Sequence, residues 1–431
     1  IIEVNAAPGL RMHTHPSEGK ARSVGAPIID MLYPPGAGYT IPVIAITGTN
    51  GKTTTTRLTA HLFRQTGKTV GFTTTDGVYL QNRLVMEGDM TGPFSANIIL
   101  SNPTVEVAVL ETARGGIIRA GLGFDECDVG VVLNVSADHL GLRGINTVEQ
   151  LAEVKSVIPA VVKREGHAVL NADDPLVYAM RDRTGGDLVY FSTLPEGENA
   201  QFEDHIGRGG IGARIEDGTF VIRRGRLRIP IAGVNEVPLM MGGTARFQQG
   251  NILAAIATAY VQGVRYDTIR AGLLSFFPSP SMTPGRLNLL RVGESRVLVD
   301  YAHNAAAVAG LMQMVADIPA RRRIGVIAVP GDRRDEDIRA VAALCGGLDF
   351  AIVKEDYDLR GRRPGEVAGL LVDGLRHAGL RGDQIEQVAT ESDAVSRALS
   401  LLGEGELAVV LADDVGGVLA QIRPRATGTG L

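Results

Sequence analysis

The chain has 431 residues, 45% hydrophobic, 21% charged and 5% aromatic, a globular composition long enough for two or three domains and a sizeable core. A net charge of -5 with no long basic block argues against nucleic-acid binding, and no apolar run approaches the roughly 18 residues of a membrane span. Two cysteines, Cys127 and Cys345, cannot form a disulfide scaffold, which fits a reducing, cytoplasmic compartment.

The opening Ile1-Ile2-Glu3-Val4-Asn5 reads as a strand already under way and predicts a chain that begins inside a domain. From Ile41 onward, short β-branched apolar runs alternate with helix-length segments, the pattern of an α/β fold with parallel strands and crossover helices. Strands read over 43–47, 105–110, 129–135 and 167–170, each nearly continuously apolar, as a strand covered on both faces must be. The clearest helix is 52–65, with Leu58, Leu62 and Phe63 in helical spacing and Gly67 as a stop. Between 200 and 234 the chain turns polar and Gly-rich, and β-prone runs at 219–222 and 227–231 predict an antiparallel elaboration of the sheet without chemistry of its own. Three prolines in 277–285 oppose helix and central strand and mark a domain boundary. Beyond it, strands at 296–301, 323–329, 350–353 and 407–411 predict a smaller α/β unit.

The strongest local signal is Thr47-Gly48-Thr49-Asn50-Gly51-Lys52-Thr53-Thr54, between the first strong strand and the clearest helix. Such a loop cradles a polyphosphate. Glycines let backbone N–H groups turn inward, the helix N-terminus adds positive potential, Lys52 supplies a mobile cation and Thr53 offers a hydroxyl to magnesium. Ile46 stands where the first glycine of the general Walker pattern would fall, so the loop is shorter, from Gly48 to Lys52. Glu111 closes one apolar strand and Asp138-His139 follows another, so Glu111 and His139 could reach the same ion as Thr53 beyond the carboxyl ends of the strands. Magnesium prefers oxygen, which makes His139 an unusual ligand for it, and residue types alone leave zinc open. Taken singly, Glu111 also reads as a helix cap and His139 as a hydrogen-bonded loop histidine. His13 and His15 lack further ligands at metal spacing and read as linker residues.

Five motifs occur in the order found in Mur ligases: Gly48 through Thr53; Asn134 with Asp138-His139-Leu140; Leu170-Asn171-Ala172-Asp173-Asp174-Pro175; Asn251-Ile252-Leu253-Ala254-Ala255; and Asp300-Tyr301-Ala302-His303-Asn304. The segment Glu3 to Leu10 looks like the close of an ATP-grasp domain. With His13-Thr14-His15-Pro16 at the join and Gly331 through Asp337 later, the whole resembles the cyanophycin synthetase family. The resemblance implies three parts. Residues 1–36 would be the ATP-grasp remnant and linker, 37–281 a central P-loop ATPase domain with a mostly parallel sheet, and 282–431 a smaller C-terminal α/β domain.

It also implies an ATP- and magnesium-dependent ligase that joins arginine to aspartate side chains of a polymer through an acyl phosphate, in a cytoplasmic homo-oligomer. Glu3 and Asn5 match a metal-binding Glu-x-Asn, but the remaining ATP-grasp elements are absent, so backbone aspartate addition is not expected. The intact Lys52-Thr53 argues against the related group that polymerises preformed dipeptides. By similarity Gly48, Thr49, Asn50, Gly51, Lys52, Thr53 and Thr54 would hold the phosphates, with Thr53, Glu111 and His139 at the metal. Asn251 would meet adenine, Arg286 the γ-phosphate and Asp300 the ribose. Lys155 matches a lysine that many Mur ligases carbamylate, or else is an exposed lysine of a helix over 151–158. Arg333, Asp335 and Glu336, with Asp337, are candidates for the amino-acid substrate, against a plain solvated helix start. The competing readings are another Mur-type ligase, acting on a cell-wall precursor or on folate with glutamate, and a noncatalytic nucleotide-binding fragment.

Overall fold

The computed structural model describes residues 9–34 and 40–429. The strand expected over 1–5, with Glu3 and Asn5, lies outside the described residues. The chain forms two compact units, Ile1–Pro42 and Val43–Leu431. In the first, the short helix Arg11–Thr14 and the helix Gly25–Leu32 bury no side chain, and Ile28, Ile29, Met31 and Leu32 are exposed.

The second unit is built on two sheets. The larger contains β1 (Val43–Thr47), β2 (Val70–Thr74), β3 (Gly77–Leu80), β4 (Arg83–Glu87), β5 (Val107–Glu111), β6 (Cys127–Val132), β7 (Val162–Asn171), β8 (Asp187–Phe191), β9 (Ile211–Glu216), β10 (Thr219–Arg224) and β11 (Leu227–Gly233). Their order is β11-β10-β9-β8-β7-β6-β1-β5-β2-β3-β4. The strands from β9 to β2 in that order run parallel, and antiparallel hairpins close both edges. The expected antiparallel elaboration is the β9–β11 edge. The smaller sheet contains β12 (Asn288–Val292), β13 (Ser295–Asp300), β14 (Arg323–Ile327), β15 (Phe350–Val353), β16 (Ile385–Gln387), β17 (Leu407–Leu411) and β18 (Gly428–Thr429), in the order β16-β15-β14-β17-β13-β12-β18. The expected α/β class, with a large mostly parallel sheet and a second, smaller α/β domain, is what the chain adopts.

β1 is buried along its whole length because each of its residues contacts a neighbouring layer, and its neighbours explain where a ligand can enter. Ile46 pairs with Glu111 of β5 on one side, and Thr47 with Val132 of β6 on the other. From β1 the chain crosses to β2 on the β5 side and, after β5, to β6 on the other side, so the carboxyl end of β1 faces a crevice at a switch point of the sheet. The helix Lys52–Arg64 leaves that end. Four consecutive threonines, Thr53 to Thr56, lower its intrinsic helix propensity by about 0.5 kcal/mol each relative to alanine. Burial offsets this: the helix packs on the sheet beside the alanine-rich helix Gln249–Val261, and Leu58, Leu62 and Phe63 join the core with Ile252 and Ile256. Each buried aliphatic side chain contributes about 1.5–3 kcal/mol.

Candidate active site

The loop after β1 is braced from the loop after β6. Asn134 accepts through Oδ1 from the N–H groups of Thr49 (3.1 Å) and Asn50 (2.9 Å), and its Nδ2 donates to the Asn50 carbonyl at 3.1 Å. Thr49 Oγ1 donates to the Ser136 carbonyl and accepts from the Ser136 N–H. The amides of Thr49 and Asn50 therefore turn to Asn134. The N–H groups of Gly51 to Thr54 have no acceptor among the described residues, so the anion-seeking donors sit at the helix start. Gly51 adopts φ 87°, and a Cβ there would lie 2.0 Å from Asn251 Oδ1. Only glycine fits between the loop and the Gln249–Val261 helix.

A cavity of about 390 Å³ opens here, and it gathers Gly51, Lys52, Thr53, Glu111, Asn251, Arg286 and Asp300 from both sheets. Lys52 Nζ donates to the Thr49 carbonyl at 2.9 Å. Thr53 Oγ1 is 3.1 Å from Thr75 Oγ1, and Glu111 Oε2 accepts from the Thr75 N–H at 3.3 Å. Glu111 is 2% exposed, and its other oxygen has no hydrogen-bond partner. Burial raises its pKa against the pull of Lys52 and Thr53. A buried carboxylate oxygen left without a partner beside a threonine hydroxyl is a donor set that a hard divalent cation fits.

Across the cavity, Asp300 accepts from the Leu287 N–H (2.8 Å) and the Ala302 N–H (2.9 Å), and burial raises its pKa despite Arg286. The Arg286 guanidinium lies 4.6 Å from the Tyr301 ring centroid, with Nη1 donating to the Gly285 carbonyl. Asn251 Nδ2 donates to Gln248 Oε1 at 2.7 Å.

Other expected residues are placed elsewhere. His139 does not line this cavity; it lies with Asp138 and His303, their ligand atoms within 4.8 Å of one another, against Arg333. The structure thus joins Thr53 to Glu111 but leaves His139 outside that pair. Lys155 is not an exposed lysine. It ends the helix Val148–Lys155, is 2% exposed, and donates to the Gly48 carbonyl at 2.8 Å. Burial, with Lys52 nearby, pushes its pKa well down. Asp335 pairs with Arg362 at 2.7 Å, Glu336 with Arg334 at 2.5 Å, and Asp337 with Arg334 at 2.8 Å, so each carboxylate of that run has a cation of this chain. Arg333 is buried against Asp138 and Asp332.

Sequence reasoning assigned no role to Asn134, Thr75 or Asn304, although Asn134 and Asn304 stood inside quoted motifs. It also passed over a second cavity, of about 540 Å³, beyond the carboxyl ends of β15 and β17. Asp356, Glu391 and Asp413 line it around the buried Lys354, whose Nζ is 2.9 Å from Asp356 and 3.1 Å from Glu391. Burial, and then Asp356, raise the Asp413 pKa.

The family profile of the Mur ligase middle domain matches residues 46–259, and that of the Mur ligase glutamate ligase domain matches residues 285–413. Over 99% of its length the chain is 50% identical to a cyanophycin synthetase of Crocosphaera subtropica and to one of Synechocystis, covering 48% of each. The chain spans about half the length of these curated relatives. Among solved structures, a bifunctional folylpolyglutamate synthase/dihydrofolate synthase with Mn, AMPPNP and L-glutamate bound shares the fold at a TM-score of 0.66 and 18% identity, over 89% of each chain. The chain belongs to the Mur ligase family, with the middle and C-terminal domains of that family in order and cyanophycin synthetases as its half-identical relatives.

Proposed function

We propose that this chain is an ATP-dependent amide ligase that adds arginine to side-chain carboxylates of an aspartate-backbone polymer, the Mur-type half of a cyanophycin synthetase. The polymer carboxylate attacks the γ-phosphorus of ATP, the bond to the β–γ bridging oxygen breaks, and ADP leaves an acyl phosphate. The arginine amine then attacks the acyl carbon, phosphate departs, a proton is lost and an amide remains.

The observation that carries this reading is the single cavity shared by the helix-start amides, Lys52, Thr53, Glu111, Asn251, Arg286 and Asp300. Two anions must meet and charge must spread over the transferred phosphoryl oxygens, so positioned cations supply most of the catalysis. Lys52 and Arg286 approach from opposite domains, Asn251 takes the adenine and Asp300 the ribose. Magnesium supplies further charge neutralisation when bound, and Thr53 and Glu111 would hold it, with His139 as an outlying third member. The fold's occurrence with AMPPNP and Mn in the folylpolyglutamate synthase supports a nucleotide and a divalent metal here. The acidic second cavity supports a cationic amino acid as the incoming substrate. Lys155, buried with its pKa pushed well down, is a candidate for carbamylation. We place the enzyme in the cytoplasm as a homo-oligomer; among the described residues no helix is long and apolar enough to cross a membrane.

The test incubates the chain with ATP, magnesium, arginine and a polyaspartate primer, and follows phosphate release with primer mass. Arginine-dependent gain of one arginine residue supports the proposal. ATP binding without turnover makes the chain a nucleotide-binding scaffold, and turnover only with another amino acid makes it a different Mur-type ligase.

A further inference from the structure

Three side chains of the second domain converge on one carboxylate of the first. Asp138 follows β6 in the loop that also carries His139. Its Oδ1 lies 3.1 Å from Arg333 Nη2. Its Oδ2 accepts from Asn304 Nδ2 at 3.3 Å and lies 3.9 Å from His303 Nε2. Asp138 is one-tenth exposed at its side chain and Arg333 less, so both charges are largely withdrawn from water. A carboxylate so far out of water needs a cation beside it, and here the other domain provides it.

Each convergent residue leads on to a functional loop. Asn304 exchanges two hydrogen bonds with Asn50, donating to Asn50 Oδ1 at 2.8 Å and accepting from Asn50 Nδ2 at 3.2 Å. Its Oδ1 also accepts from the Ala307 N–H at 3.0 Å, which caps the helix Ala305–Asp317. The phosphate loop is thereby tied to a helix start in the second domain. Arg333 reaches His139 at Nδ1 (2.9 Å) and Nε2 (3.1 Å), of which a neutral imidazole accepts through only one. Arg333 is itself held, since its carbonyl accepts from Arg362 Nη2 at 2.6 Å and its Nη1 donates to Asp332 at 2.7 Å. Asp138, His139 and His303 have the spacing of a cation site, but the Arg333 guanidinium already lies against the first two.

We infer that Asp138 is a positioning residue, the point through which docking of the second domain sets the phosphate loop, by way of Asn304 and Asn50, and the His139 ring, by way of Arg333. Asp138 does not line the nucleotide cavity, so its effect on turnover runs through these partners. The kinetic part rests on the ligase reading; the docking part does not.

The experiment compares the full chain with Asp138→Asn, Arg333→Ala, Arg333→Lys and the double variant Asp138→Asn/Arg333→Ala, by small-angle scattering without nucleotide and by steady-state kinetics. Circular dichroism first establishes that each is folded. Asp138→Asn and Arg333→Ala are expected to enlarge the radius of gyration and to lower kcat at least about tenfold, with the KM for ATP moving less than about threefold. Arg333→Lys is expected to recover part of both, and the double variant to be no worse than the poorer single one, as a broken pair requires. Unchanged scattering in both single variants overturns the docking role, and losses that multiply in the double variant overturn the coupling. If the parent chain shows no ATP turnover, the ligase reading fails while the scattering comparison still decides the docking role.

Discussion

Lys155 donates to the Gly48 carbonyl at 2.8 Å, so the amine of a helix that precedes β7 rests on the backbone of the phosphate loop. An ammonium buried there would face Lys52 without a carboxylate hydrogen-bonded to it, and burial accordingly depresses its pKa well below the ordinary lysine value. The neutral amine is the form that adds carbon dioxide, and a depressed pKa raises its share. Intact-mass measurement in bicarbonate buffer is expected to show one added carbon dioxide on the parent chain and none on Lys155→Met. The Met variant matches the stem in volume and should melt within a few degrees of the parent, yet lose at least about tenfold in kcat, about 1.4 kcal/mol of barrier. Full turnover in Lys155→Met would leave this lysine a packing element only.

Lys52 makes its contact with its own loop, through the Thr49 carbonyl. Removing it should leave the fold almost untouched while taking away a cation aimed at the triphosphate. Lys52→Ala is expected to lower ATP-dependent phosphate release by about 10³, roughly 4 kcal/mol, with a melting temperature close to the parent's. Retained turnover would refute the assignment of this loop.

Gly51 is constrained twice, by its φ of 87° and by the approach of Asn251 Oδ1 to where a Cβ would stand. Gly51→Ala should cost about 1–2 kcal/mol for the left-handed backbone, plus the displacement of Asn251. Urea unfolding is expected to show that loss together with weaker ATP binding. The double variant Gly51→Ala/Asn251→Ala should recover the steric part of the stability but not the nucleotide affinity, which separates packing from recognition. If Asn251→Ala alone leaves nucleotide affinity intact, its adenine role is lost.

Parts of the fold and of the site were legible in the sequence. β1 and the helix Lys52–Arg64 were readable because a continuous apolar run followed by Gly-Lys-Thr and helical spacing has few other physical meanings. β4 was not, since Arg83–Glu87 is exposed throughout and gains its strand form from pairing with β3. β7 runs from Val162, well before the apolar run at 167, because Val162 already pairs with Cys127 of β6, and polar Lys163, Arg164 and Glu165 fall in the irregularity before the ladder resumes at Val129 and His167. Glu111, from its place at a strand end, and Asn251, Arg286 and Asp300, from the resemblance, line one cavity, but which partner each side chain takes depends on distant loops. Lys155 stood out only by its resemblance to a carbamylated lysine, since its burial and its contact with Gly48 have no local signal, and the Asn50–Asn304 pair spans residues too far apart for one.

His61 on the helix Lys52–Arg64 is buried, with Nε2 2.9 Å from Ser275 Oγ, and burial, aided by Arg64, lowers its pKa to about 4. The unfolded chain takes up this proton near the ordinary value of about 6.5, so between those values the unfolded state binds more protons and stability falls as pH falls. The contribution is present above about pH 6.5 and lost toward pH 4. Between pH 7 and pH 5 this one group should cost about 2 kcal/mol. Urea titrations at both values are expected to show His61→Gln with a correspondingly smaller difference than the parent. Asp138, whose pKa is lowered, keeps its contribution throughout this window and loses it only as pH falls below the ordinary carboxylate range. An equal pH dependence in the two proteins would place the loss elsewhere.

Two acidic groups compete as the recogniser of the incoming cation, and their surroundings differ. Asp335 is 2.7 Å from Arg362 of its own domain, so a substrate guanidinium would have to displace a resident one. In the second cavity Lys354 is shared between Asp356 and Glu391, while Asp413 faces them with a pKa raised by burial and by Asp356, the mark of excess negative charge. A guanidinium entering there would relieve repulsion that Lys354 and Arg360 offset only in part. Asp413→Asn is therefore expected to raise the KM for arginine about tenfold with kcat and the KM for ATP little changed, the pattern of lost ground-state binding. Asp335→Ala should move the arginine KM less than about twofold. The reverse ranking, measured on the same preparation and primer, would return recognition to the helix start at Asp335.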